Sequence, residues 1–231
     1  MLGELGRLRR RARTARHAYW FPLLLFGVLT CTAAPLYVAA AGGQADGSGT
    51  APLFLLGGSP GLGSGFYVGW YWAVALTAGY LLTVFWYRRH ARRVGLRTPA
   101  RGYLITGIAV TALALALPPL TFWVHPLALL WLPFGDLWIR GTLAFLIIAA
   151  GLWVLARAER GRALAVIALV YSAAAVACSL YNLENVLFRL GWNPGSPFAW
   201  QLTVLPDVLL PALVLLAAGT GAYLAQRRSP A

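Results

Sequence analysis

Of the 231 residues, 60% are hydrophobic and 11% charged, against about a quarter charged in a soluble domain. So little charge cannot cover a water-facing surface, which excludes an ordinary soluble domain and marks an integral membrane protein. The net charge of +13 comes from arginine alone, because the chain has no lysine. Arginine clusters in short segments between apolar stretches are topology signals. A nucleic-acid interface would need a folded reading element, and no polar segment here is long enough to supply one.

Residues 1–19 form a basic tail with Arg7, Arg9, Arg10, Arg11, Arg13 and Arg16. An apolar stretch at 20–41 follows, long enough to cross a bilayer, which takes roughly 20 residues. Its basic lead-in and the Ala-x-Ala ending at Ala41 also fit a cleaved signal peptide. Such a peptide has an apolar core of about 7–15 residues, so a retained span is expected instead. Residues 42–66 (GGQADGSGTAPLFLLGGSPGLGSGF) are rich in Gly, Ser and Pro and read as a loop. Within it, GGSPG matches the G-x-S-x-G pattern around Ser59. That motif carries catalysis only on a strand-to-helix turn with a His and a carboxylate at hand. No strand precedes it, so Ser59 is not read as a nucleophile.

A second span is predicted at 67–87, followed by a cytoplasmic loop holding Arg88, Arg89, Arg92, Arg93, Arg97 and Arg101. A third span, 102–124, meets Pro118 and Pro119, which would stop or bend its outer end. Residues 118–136 (PPLTFWVHPLALLWLPFGD) are too apolar for a solvated loop and read as a re-entrant or interfacial segment. The fourth and fifth spans, 137–157 and 162–181, are joined by RAERGR, with Arg157, Arg160 and Arg162. Small residues four apart permit close helix approach in lipid. The fifth span offers Ala173/Ala177, Ala174/Cys178 and Ala175/Ser179, and AAGTGA does the same in the sixth. Beyond the fifth span, Leu183, Val186, Leu187 and Leu190 share one apolar face. They predict a helix on the outer membrane surface, ended by NPGSP. The sixth span, 205–225, opens at Pro206 and Asp207, and 226–231 form a cytoplasmic tail with Arg227 and Arg228.

The expected fold is therefore an all-α integral membrane protein, a six-helix transmembrane bundle over 20–225 with both termini cytoplasmic. Every arginine except Arg140 and Arg189 then falls on the cytoplasmic side. Aromatic residues gather near the span ends, Trp20, Trp86 and Tyr87 inside and Trp70, Trp123 and Trp200 outside, as their amphipathic rings favour. Cys31 and Cys178 lie within spans at a spacing that matches no metal motif and no disulfide framework.

The candidate site is a set of polar residues at the outer span ends: His125, Asp136, Glu184 and Asp207. If the bundle brings them together, their nitrogens and oxygens suit a divalent cation or proton uptake. Each also has a plain structural use. Asp136 and Arg140 are spaced for a helical ion pair, Glu184 suits the wet face of a surface helix, and Asp207 suits a helix start. The span centres hold no Asp, Glu, Lys, Arg or His, and Tyr80, Thr83, Thr111, Tyr171 and Ser172 are their main polar groups. Ion-driven carriers place charges there, so a proton-driven carrier is disfavoured. No Walker A, H-E-x-x-H or dinucleotide fingerprint occurs, and neither a cofactor nor a catalytic residue is expected.

The lysine-free, Arg- and Ala-rich chain is similar in style to a group of multi-pass membrane proteins of high-GC actinobacteria. The likeness lies in ARHAYWFPLLLFGVLTCTAAPLY and YRRHARRVGLRTPARGY. It covers about the first half of the chain and implies no activity and no site residues. The functional expectation is a non-enzymatic component of the plasma membrane: a subunit, scaffold or sensor. One alternative is a transporter or permease-like subunit that works with a separate ATPase through the 88–101 and 157–162 loops. Another is a membrane-embedded enzyme acting on a lipid-like substrate at the outer face, through His125 and the acids. The bilayer is the expected partner, with a membrane protein or ATPase beside it, and nucleic acid is not.

Overall fold

The computed structural model describes residues 19–42, 65–94, 143–159, 161–180, 186–187, 189–191, 202 and 204–228. Five helices run through them: α1, Trp20–Gly42; α2, Gly65–Val94; α3, Leu143–Glu159; α4, Arg162–Leu180; and α5, Leu205–Arg228. No strand occurs among the described residues. All but α3 are long and apolar enough to cross a membrane, where the backbone must satisfy its own hydrogen bonds. α1, α4 and α5 start at the predicted positions. Pro22 and Pro206 fall in first turns, where a missing N–H costs little. The third predicted span, 102–124, lies outside the described residues.

Several boundaries differ from the sequence reading, and α5, for one, runs to Arg228, into the predicted 226–231 tail. α2 does not stop at residue 87 but continues through RRHARRV to Val94, so half of the predicted 88–101 loop is helix. Arginine is a good helix former, and that stretch contains neither Gly nor Pro. The helix predicted beyond the fifth span ends in a turn at Leu190 and Gly191, ahead of NPGSP. The Leu190 N–H bonds the carbonyls of Val186 and Leu187, both at 3.1 Å. Gly191 then takes φ 90°, the left-handed helix cap that glycine adopts without a Cβ penalty.

The helices close a ring in which α1 packs on α2 and α5, α5 on α4, and α4 on α3, while α2 and α3 touch most lightly. Side-chain contacts fix their directions. Phe21 stacks on Trp86, Phe26 meets Tyr80, and Tyr37 meets Trp72, so α1 and α2 are antiparallel. α5 is antiparallel to α1, since Gly27 faces Leu216 and Gly219 faces Leu24. A Cβ added at either glycine would lie 2.8 Å from the opposing Leu Cδ2, so each backbone seats the other helix's leucine. This is the close approach that small residues allow in lipid. α2 and α3, by contrast, are parallel: Trp72 meets Phe145, Tyr80 meets Ile147, and Tyr87 meets Glu159.

The core holds Trp72, Tyr171, Phe26 and Phe145, all fully buried. The outside is equally apolar, with Val28, Val74, Leu81, Phe85, Val166 and Leu213 exposed. In water such a surface would associate; against lipid tails it is the expected face. One end of the ring collects the α1 start, the α2, α3 and α5 ends, and the α4 start. With them come Arg88, Arg89, Arg157, Arg162, Arg227 and Arg228, all exposed.

Candidate functional site

Of the four predicted site residues, only Asp207 falls among the described ones; His125, Asp136 and Glu184 lie outside them. Asp207 stands in the first turn of α5, as the Pro-Asp pair suggests, and an acid there faces the positive end of the helix dipole. It is only 5% exposed, and Cys178 on α4 lies within electrostatic reach of it. Four residues on, Pro211 lacks the N–H that would bond the Asp207 carbonyl. Beside Cys178, the fully buried Ser179 hydroxyl has no hydrogen-bond partner among the described residues. No three His, Cys, Asp or Glu side chains gather as a metal site among the described residues.

Polar groups elsewhere in the ring mostly fasten helices. Trp72 Nε1 donates to the Tyr37 hydroxyl at 2.9 Å, joining α2 to α1. The Tyr71 hydroxyl lies 2.5 Å from both the Leu29 carbonyl and the Thr32 hydroxyl across the same seam. Tyr80 donates to the Ile147 carbonyl at 2.8 Å, joining α2 to α3. Trp153 Nε1 donates to the Ser172 hydroxyl at 3.1 Å, joining α3 to α4. Thr83 and Ser172 donate to the carbonyls four residues back, both at 2.7 Å, which satisfies a hydroxyl where water is scarce. Of the mid-span polar residues read from the sequence, Tyr80, Thr83 and Ser172 are thus accounted for. Tyr171 is not: its hydroxyl is fully buried with no partner among the described residues.

Sequence reasoning missed a second polar group, at the arginine end. The Tyr87 hydroxyl on α2 donates to a Glu159 carboxylate oxygen at the end of α3. Tyr19, just before α1, lies within electrostatic reach of that carboxylate. Burial raises the Glu159 carboxyl from 4.5 to about 7, against the opposing pull of the Tyr87 hydrogen bond. Burial first, and then the Glu159 charge, raise the Tyr19 phenol as well. The available signal was an acid inside RAERGR, in a segment otherwise basic. Its partners come from 72 and 140 positions away, so spacing could not identify them.

At the same end, rings from three helices meet. Trp20 packs edge-on against Trp86 with centroids 5.5 Å apart, and against Tyr223 at 5.1 Å. Phe21 stacks on Trp86 at 4.4 Å. The Arg227 guanidinium sits over the Tyr223 ring, 4.7 Å from its centroid, a cation–π geometry. Compared with protein-family models, with curated proteins and with solved structures, the chain matches none.

Proposed function

We propose that the chain is a six-span protein of the plasma membrane with both termini cytoplasmic, serving as a non-enzymatic membrane component: a subunit, scaffold or sensor. The observation that carries this reading is the ring itself. Its outside is apolar, its centre is filled by large side chains, and Trp72–Tyr37, Tyr80–Ile147 and Trp153–Ser172 hydrogen bonds tie one helix to the next. The parallel α2–α3 pair supports the six-span count. α2 leaves at the arginine end and α3 starts at the opposite end, an arrangement that one crossing by the connection between them would produce. Residues 102–124 are the stretch of span length available for that crossing. The gathering of arginines at one end supports a cytoplasmic assignment for that end.

Reporter fusions test the topology. A fluorescent protein active only in the cytoplasm should light up at residue 94 and at the C-terminus, and stay dark at residue 142. Equal signals at 94 and 142 would overturn the six-span arrangement. Purification in mild detergent tests the role, with a stoichiometric membrane-protein partner and no ATPase expected. A co-purifying ATPase would replace this reading with the transport alternative, and turnover of lipid by the isolated protein would replace it with an enzyme.

A further inference from the structure

The aromatic group at the arginine end is flanked by guanidinium groups in a way that the packing of the ring does not require. Trp86 and Arg89 are three apart on α2, and Tyr223 and Arg227 are four apart on α5, spacings that put each pair on one helix face. Both arginines therefore lie about one turn beyond the rings, on either side of the α1 start. Neither has an ion-pair or hydrogen-bond partner among the described residues; Arg227 sits over the Tyr223 ring, and both arginines are exposed. At 30 residues and about 1.5 Å per residue, α2 is about 45 Å long. That exceeds a hydrocarbon core of about 30 Å, so its arginine-bearing end reaches headgroup level. Trp and Tyr rings settle at that same level.

From this geometry we infer an anionic phospholipid site between α2, α1 and α5. Arg89 and Arg227 take the phosphate, with Arg88 and Arg228 beside them. Trp20, Trp86 and Tyr223 form the floor at the glycerol level, and the acyl chains run down the exposed apolar faces of α2 and α5, past Phe85 and Leu224. Guanidinium suits this work because its planar fork bonds a phosphate through two N–H groups at once. A lipid rather than a soluble phosphate is the fitting occupant, because the rings and apolar faces continue directly below the charges. This inference rests on the membrane reading above but on neither the span count nor the orientation.

The test uses the full-length protein in neutral detergent, with native mass spectrometry reading bound phosphatidylglycerol against phosphatidylcholine of the same chains. Phosphatidylglycerol should bind at least tenfold more tightly. The double substitution Arg89→Gln/Arg227→Gln should remove most of that preference. Arg157→Gln/Arg162→Gln, at the same end but on the α3–α4 turn, should leave it within twofold. Should the glutamine pair fail to fold, Arg89→Lys/Arg227→Lys keeps the charge and should still weaken phosphatidylglycerol several-fold by losing the fork. Equal losses from both glutamine pairs would mean diffuse charge and overturn the site, as would equal binding of the two lipids. Either result would leave the membrane reading intact, whereas a protein soluble without detergent would overturn that reading instead.

Discussion

Single atoms decide much of the α1–α5 seam. Replacing Gly27 or Gly219 with alanine places a methyl group 2.8 Å from a leucine Cδ2 and within 3.1 Å of backbone nitrogen. Such overpacking costs about 1–3 kcal/mol, read as a fall of several degrees in Tm. Gly221→Ala, two residues beyond Gly219 and facing open space, should leave Tm unchanged or slightly higher. Glu159 makes stability depend on pH. Its carboxyl stands near 7 in the fold against an ordinary 4.5, so between those values the folded chain holds a proton that the unfolded chain has lost. The stabilisation is complete below pH 4.5 and disappears as pH rises through 7, for a total of ~3 kcal/mol at most. Melting curves at pH 5 and 8 should differ in that direction. Glu159→Gln, which keeps a hydrogen-bonding group in place, should flatten the difference.

At the scale of elements, the seam between α2 and α3 is the lightest in the ring and depends on few groups. Tyr80 reaches the Ile147 carbonyl across Gly151, where an added Cβ would overlap the Tyr80 hydroxyl. Gly151→Ala and Tyr80→Phe therefore remove the same hydrogen bond. Each should destabilise by about 1 kcal/mol or more, and the double variant by clearly less than the sum. Helix boundaries were legible in the sequence wherever a proline or an abrupt loss of apolar residues marked them, as at Trp20, Arg162 and Leu205. The end of α2 was not, because hydropathy falls at Arg88 while helix propensity does not. Asp207 was legible as a helix start but not as a buried group, since burial depends on what tertiary packing brings over it. Of the predicted small pairs on α4, Ala175 and Ser179 face the interior, whereas Ala173 is exposed. Composition alone could not choose among faces, and Leu24, which Gly219 of the α5 motif faces, lay in a different helix.

For the whole molecule, the two cysteines provide a built-in measure of folding. Cys178 is buried between α4 and α5, while Cys31 is only partly covered. In a Cys31→Ser variant, a thiol-reactive dye should stay dark in the native protein and label in one cooperative step on heating. Labelling of the native protein at the rate of a free thiol would contradict the packing of α4 on α5. The direction of the helices has a consequence for biogenesis. Five helices in a ring cannot all alternate in direction, and the mismatch falls between α2 and α3. Neighbours that lie antiparallel can pair as a hairpin soon after leaving the ribosome, but in the proposed six-span arrangement this pair must wait for the chain to come back across the bilayer. Were that proposed passage skipped, α3 would be inserted upside down. Arg157 would go to the wrong side, Glu159 would be taken from Tyr87, and Tyr80 would have no carbonyl to meet. In that arrangement the contacts of this one light seam act as a checkpoint on topology, satisfied only by a chain that has been threaded correctly.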